Sequence, residues 1–292
     1  MAVPKVVGHL LETGEMIKFQ HTVFALPFAL IALITASPTA WPPLSVWLWV
    51  LVAMVAARTA AMSFNRLADQ AIDARNPRTA ERSLPAGRLS RRFVWTVTAV
   101  SIGLFVWAAA NLNPLCLKLA APTLVVLLGY SLSKRFTAFS HLWLGVALGI
   151  APIGAWAAVT GRLELPPIVL GAGVVLWVAG FDIIYSLQDE RFDRDHGLHS
   201  MPSRIGAAPA LAFSRLMHGG ALIAYAIFAR MAGGGPWRWS AVVVAGLMLI
   251  WQHRLVSPHD LRRVDAAFFT TNGLLSLIMG LLFIAARITA PV

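Results

Sequence analysis

Two stretches of this chain space oxygen-bearing side chains four residues apart. The first reads Asn65-Arg66-Leu67-Ala68-Asp69-Gln70-Ala71-Ile72-Asp73, and the second Asp182-Ile183-Ile184-Tyr185-Ser186-Leu187-Gln188-Asp189-Glu190-Arg191-Phe192-Asp193. Residues four apart share a helix face. A helix through the first stretch stacks Asn65, Asp69 and Asp73 in one strip. A helix through the second stacks Tyr185, Asp189 and Asp193, with Asp182 one turn earlier. Hard carboxylate oxygens suit Mg²⁺, which takes one or two protein carboxylates and completes its shell with water and substrate phosphate oxygens. Two facing strips can therefore hold a diphosphate between bridging ions, with Mn²⁺ as an alternative metal. Four Asp and a diphosphate sum to about −7, two Mg²⁺ return about +4, and cations must supply the rest. Arg78, Arg82, Lys134 and Arg135 are available. A single i,i+4 acid pair is usually a solvated helix face; the recurrence argues for a site.

Lipid-embedded elements must position these strips. Of the 292 residues 58% are hydrophobic and 13% charged, and mean hydropathy is +0.70, whereas soluble domains carry about a quarter charged residues. A membrane-spanning helix needs about 20 mostly apolar residues. Nine stretches qualify, at 20–38, 44–64, 92–111, 115–133, 139–160, 167–187, 209–231, 237–253 and 265–287, and Pro and Gly punctuate the gaps. The expected fold is all-α, a polytopic bundle of nine transmembrane helices with a helical cytoplasmic cap, forming a single domain over 1–292. The acidic strips follow helices two and six. That spacing suggests a four-helix pseudo-repeat, 20–133 and 139–253, with the site between its halves.

A net charge of +11 would suggest nucleic acid in a soluble protein, but cytoplasmic loops of membrane proteins are themselves rich in Lys and Arg. With a cytoplasmic N-terminus, most of the 24 Lys and Arg fall in inside segments 1–19, 65–91, 134–138, 188–208 and 254–264. No nucleic-acid partner is required. The reading is a multi-pass protein of the cell (inner) membrane, with its N-terminus and active site cytoplasmic. Seven of the 13 acids (Asp69, Asp73, Glu81, Asp189, Glu190, Asp193 and Asp195) lie in the two long inside loops, where function concentrates. Lone Cys116 excludes an intrachain disulfide and a cysteine metal cluster. The first 16 residues lack an apolar signal core, so the N-terminus reads as retained.

With these motifs the chain resembles the UbiA superfamily of membrane prenyltransferases. The first strip is similar to its Asn-x-x-x-Asp-x-x-x-Asp motif and the second to its Asp-x-x-Tyr-x-x-x-Asp-x-x-x-Asp motif. Tyr130-Ser-Leu-Ser-Lys134-Arg135 resembles the Tyr-x-x-x-Lys element, and Arg78-Thr79 through Arg82 to Gly87 resembles an Arg-Thr-x-x-Arg segment. The likeness covers nearly the whole chain, including Lys18 to Pro27 at the start of the first helix. Arg66 stands where an acid often follows the Asn, Ser83 replaces a usual Pro, and His199-Ser200 stands where Lys before Ser or Thr is common. The run Leu187 to Gly197 is similar to the 4-hydroxybenzoate polyprenyltransferase-like branch, which includes enzymes of the futalosine route to menaquinone. The resemblance implies Mg²⁺-dependent transfer from a polyprenyl diphosphate to an aromatic acid in ubiquinone or menaquinone biosynthesis. It assigns the metal to Asn65, Asp69, Asp73, Asp189 and Asp193, and the diphosphate to Arg78, Arg82, Tyr130, Lys134 and Arg135.

Several residues keep two readings. Ionisable groups at membrane depth are costly and usually functional, so Arg58 and Asp182 either bind the acceptor or orient Tyr185, or are structural contacts between helices. Tyr130 and Tyr185 either donate to diphosphate oxygens and shield an allylic cation through their ring faces, or are interfacial tyrosines. The eight His show no ligand spacing, and the 11 Trp and 15 Phe serve lipid contact, belts and a prenyl groove. An ion-coupled secondary transporter is the alternative, but its charges belong near the midplane in broken helices. A phosphatidyl-alcohol transferase would need an Asp-Gly and Ala-Arg pattern that neither loop has.

Overall fold

The computed structural model describes residues 12–16, 22–39 and 41–289; Lys18 lies outside them. The apolar stretches are helical where expected: α1 (Thr22–Ala36), α2 (Leu44–Asp73), α3 (Arg91–Leu112), α4 (Pro114–Ser133), α5 (Ser140–Thr160) and α6 (Leu165–Ser186). Two short helices follow, α7 (Glu190–Asp195) and α8 (Met201–Ile205), then α9 (Ala207–Met231), α10 (Pro236–Arg254) and α11 (Thr271–Ile288). Among the described residues there is no strand beyond one isolated bridge, Ser257 to Asp260.

The protein is an all-α multi-pass membrane bundle. Among the described residues, seven helices are long and apolar enough to cross a membrane by length and composition. The other two expected spans are present as helices but fall short of that standard. The described part of α1 has 15 residues. The 19-residue α10 carries Arg238, Gln252, His253 and Arg254 near its ends, which lowers its hydropathy.

Local chemistry sets the boundaries. Ser90 accepts a hydrogen bond from Phe93 N at the start of α3 (3.2 Å), satisfying one of the orphan amides of a first turn. Asn113 accepts one from Cys116 N (3.0 Å) ahead of Pro114, whose missing N–H costs nothing at a first helical position. The Asn113 amide also donates to Ala157 O (2.8 Å), tying the α3–α4 turn to α5.

In packing order the helices close a ring, α2, α3, α4, α5, α6, α9, α10, α11 and α1 back to α2, and α1 also packs on α5. Small residues let α5 and α6 approach closely, as is common in membranes. A Cβ on Gly149 would lie 2.7 Å from Gly171 O, and a Cβ on Gly171 2.7 Å from Gly149 O. The core around α6 is aromatic: Phe24, Phe28, Trp177 and Phe181 are buried and in mutual ring contact.

At one end of the bundle the C-termini of α2, α4 and α6 meet α7, α8 and the turn-rich segment 74–90. Met16, Leu67, Leu84, Leu89 and Val94 form a small apolar cluster there. Ser83 and Arg88 donate to the Glu12 carboxylate at 2.8 and 3.0 Å.

Candidate active site

The helix bearing the first strip does continue past its apolar stretch, so Asn65, Asp69 and Asp73 lie on the last turns of α2. The second strip is carried differently. The helix α6 stops at Ser186, residues Leu187–Asp189 form a 3₁₀ turn and α7 begins at Glu190. Such tightening is frequent at helix ends. Asp182 and Tyr185 thus sit on α6, Asp189 on the turn and Asp193 on α7.

Both strips face one cavity at this end of the bundle. It is lined by every residue singled out from sequence: Asn65, Asp69, Asp73, Asp189 and Asp193, the group Arg78, Arg82, Tyr130, Lys134 and Arg135, and the deeper Arg58, Asp182 and Tyr185. Asn65 Nδ2 donates to Asp69 Oδ2 (2.9 Å), and Arg135 lies 3.6 Å from Asp69 Oδ1. Asp73 is clamped by Arg82 (2.7 Å) and by Arg66 (3.4 Å). Asp189 takes two bonds from Arg78, one from Nε at 3.0 Å and one from Nη2, and a third from Asn76 Nδ2 (3.0 Å). The guanidinium of Arg78 also reaches Tyr185 Oη (3.3 Å) and lies 5.4 Å from the centre of that ring.

Burial disfavours the charge on Lys134, but Asp193 and Asp182 outweigh it and hold the ammonium above the usual lysine range. Burial likewise opposes the charge on Arg78, and the bonds from Asp189 reverse the sign. Both stay cationic, ready for an anionic ligand.

The cavity fits a divalent cation on two observations. Asp193 Oδ2 is buried without a hydrogen-bond partner among the described residues, a costly state for a carboxylate unless a cation meets it. Among the described residues the lining also carries six cations (Arg58, Arg66, Arg78, Arg82, Lys134, Arg135) against five carboxylates (Asp69, Asp73, Asp182, Asp189, Asp193). A diphosphate would leave the set at about −2, which a metal offsets. Among the described residues no three His, Cys, Asp or Glu side chains stand close enough to hold a metal alone. A divalent cation held here would need further oxygens from its ligand or solvent to complete its shell.

Below this cavity lies a second one, almost wholly apolar, between α2, α3, α4 and α5. Arg58, Met62, Tyr130, Leu144 and Leu148 line both cavities. Alanines 53, 57, 61, 109, 120, 147, 151 and 155 keep its walls open. Among the described residues, Phe105 and Tyr130 are the aromatic side chains that line it, fewer than composition invites.

Four site residues were not singled out by sequence reasoning. Arg66 stood as a departure from a motif, yet it is buried against Asp73. Asn76 gave no signal beyond a loop position. His141 bonds Asp182 through Nδ1 (2.7 Å), a pairing 41 residues apart that no spacing rule finds. Phe268 sits on a π-helical segment, Ala266–Thr270, with its ring centre 4.2 Å from that of Tyr185. A π segment often marks a functional site.

A multi-pass helical bundle that gathers paired acidic strips and guanidinium groups over an apolar groove is an intramembrane enzyme for an amphiphilic anion. The UbiA prenyltransferase family matches residues 25–278. The chain belongs to that family and is a prenyltransferase. Among curated relatives, the 4-hydroxybenzoate octaprenyltransferase of Methylobacillus flagellatus is 30% identical over 241 residues, covering 82% of this chain and 80% of the relative. The enzyme of the same name from Salmonella paratyphi C is 28% identical over 254 residues, covering 82% and 86%. Among solved structures, the apo UbiA homolog from Aeropyrum pernix K1 superposes with a TM-score of 0.83 at 34% identity, covering 91% of this chain and 98% of that one. A UbiA homolog from Archaeoglobus fulgidus bound to GPP and Mg²⁺ shares the fold at 18% identity and a TM-score of 0.76, covering 96% and 100%.

Proposed function

We propose that this prenyltransferase moves a polyprenyl group from a polyprenyl diphosphate to an aromatic acid, 4-hydroxybenzoate or a dihydroxynaphthoate, in ubiquinone or menaquinone biosynthesis. The observation that carries the reading is the continuity of the charged cavity with the apolar groove, through Arg58, Tyr130 and Leu148. One ligand with an anionic head and a hydrocarbon tail fills both. Relatives named 4-hydroxybenzoate octaprenyltransferase support the acceptor class. Charges gathered at one end of the bundle disfavour ion-coupled transport, which places them near the midplane.

In this reading Asn65, Asp69, Asp73, Asp189 and Asp193 hold Mg²⁺ on the diphosphate. The metal, when bound, offsets the charge of the leaving group. Arg78, Arg82, Lys134 and Arg135 donate to the diphosphate oxygens as the allylic C–O bond breaks, and preorganised donors of this kind supply the largest catalytic contribution expected. Tyr130 and Tyr185 turn ring faces toward the allylic carbon, and Arg58 takes the acceptor carboxylate. The tail lies among the alanines of the groove, and the acid enters from the cytoplasm, an orientation that the Lys- and Arg-rich loops at this end support.

Purified membranes given one polyprenyl diphosphate and a panel of aromatic acids, with products read by mass spectrometry, identify the acceptor. EDTA is expected to abolish product formation and Mg²⁺ to restore it. Full turnover in chelator would sink the metal-bridged reading.

A further inference from the structure

We infer that Asp182 is the base that removes the ring proton during C-prenylation, held in place by His141. The inference rests on the aromatic-acceptor reading above and assigns a step that reading leaves open.

Asp182 precedes Asp189 by seven residues, about 10 Å along the chain axis toward the apolar groove. That depth lies beneath the diphosphate-facing groups, at the level where an allylic carbon meets its acceptor. Among the described residues five carboxylates line the cavity. Asp69, Asp73 and Asp189 each face a guanidinium, and Asp193 stands with Asp189 at the outer end. A carboxylate that neutralises a guanidinium or holds a metal cannot accept a proton without breaking that pairing. Asp182 differs: it forms no salt bridge to a guanidinium among the described residues, and although it helps hold Lys134 charged, its hydrogen-bond partner is an imidazole.

The hydrogen bonds around that imidazole fix its tautomer. Met201 N–H donates to His141 Nε2 (3.1 Å), so the ring proton sits on Nδ1 and is donated to Asp182 Oδ2 (2.7 Å). The His141 side chain is 1% exposed and that of Asp182 19%. With Nε2 already accepting from the Met201 backbone, the ring's donation to Asp182 runs through Nδ1. His141 is a positioning residue, which holds one carboxylate oxygen and leaves Oδ1 to the cavity.

The step balances. The allylic C–O bond breaks and its electron pair leaves with the diphosphate. A ring carbon ortho to the hydroxyl forms the new C–C bond. The C–H bond at that carbon then breaks, its pair restores aromaticity, and the proton goes to Asp182 Oδ1 and on to water.

The competing base is the departing diphosphate, and a merely structural Asp182–His141 tie is the other alternative. Product formation is measured with 4-hydroxybenzoate carrying hydrogen or deuterium at the carbons ortho to its hydroxyl. Wild type is expected to show equal rates, because proton loss follows a slower ionisation. Asp182→Asn keeps the acceptor for His141 but loses the base. With its Tm retained, it is expected to be ~10²-fold slower or worse and to show a primary deuterium isotope effect. Asp182→Glu is expected to recover part of the rate, and it carries the same isotope measurement if the Asn variant loses its fold. Wild-type rates in Asp182→Asn, or slow turnover without a ring isotope effect in the folded variants, would overturn the assignment alone. A wild-type enzyme that prenylates no aromatic acid would overturn the acceptor reading and this step with it.

Discussion

Asp73 and Asp193 close their respective strips, yet their surroundings are opposite. Asp73 is buried between Arg66 and Arg82, whereas Asp193 Oδ2 is buried with no hydrogen-bond partner among the described residues. Removing one member of a buried ion pair strands the other, on the order of 3 kcal/mol or more. Asp193 makes no salt bridge among the described residues but helps hold Lys134 charged, so its removal costs some stability, less than breaking the Asp73 pairs. Asp73→Ala is therefore expected to lower both Tm and activity. Asp193→Ala is expected to lose less Tm than Asp73→Ala while kcat/KM falls roughly 10²-fold, the scale of a lost catalytic electrostatic contact. Thermal unfolding of the two detergent-purified variants beside initial rates separates them, and equal losses of Tm would contradict this account. The contrast was invisible in sequence, where both are the last Asp of an i,i+4 strip. Spacing reports which face a residue takes on its own helix; it does not report Arg66 folding back seven residues or Arg82 arriving from the next loop.

Helix α6 links the core to the chemistry, and both its packing and its ending matter. It bears Asp182 and Tyr185, then gives way to the 3₁₀ turn that carries Asp189. Its approach to α5 depends on missing side chains: a Cβ on Gly145 would meet the Val175 carbonyl well inside contact distance, and one on Gly149 would lie 2.7 Å from Gly171 O. Backbone on the far side cannot rotate away, so Gly149→Ala must push the helices apart, at about 1–3 kcal/mol for overpacking. A Cβ on Gly103 of α3 would meet nothing within 4 Å, and Gly103→Ala should gain about 0.5–1 kcal/mol of helix propensity. A lower Tm and rate in Gly149→Ala beside an unchanged or higher Tm in Gly103→Ala is the expected pair; a harmless Gly149→Ala would remove close packing from the account. Helix positions were legible because apolar stretches of about 20 residues are strong signals, and α2 runs on to Asp73 as the Asn65–Asp69–Asp73 spacing required. The break after Ser186 was not legible, since the i,i+4 pattern reads as continuous helix. Nor was the π segment at Ala266–Thr270, which Asn272 and Gln252 hold by donating to Ala267 O at 3.3 and 2.8 Å. Those bonds join parts of the fold that no local pattern connects.

At the scale of the whole molecule, both loops must open to one side of the membrane while the tail of the donor lies within it. Ala86 and Asp195 are exposed in the two loops at the acidic end, and Arg162 is exposed at the opposite end of α5. Single cysteines at these positions, in a Cys116→Ala background, are expected to react with an impermeant thiol reagent from the cytoplasm at 86 and 195 and from the outside at 162. Reaction of 86 and 195 from opposite faces would break the shared site. The groove makes a separate demand. Gly154 lines it on α5, ten residues beyond Leu144 at the shared mouth, or about 15 Å deeper. A Cβ there meets nothing within 4 Å, so Gly154→Phe can place a ring in the groove without moving backbone. A short donor such as geranyl diphosphate would end before reaching that ring, whereas an octaprenyl tail would have to pass it. Gly154→Phe is therefore expected to leave kcat/KM for the short donor within about threefold of wild type and to lower it at least tenfold for the long one, about 1.4 kcal/mol of lost tail burial. Donor competition read by product mass gives the ratio directly. Equal loss for both donors would mean that the substitution disturbs the catalytic end, and equal retention would place the tail outside this groove.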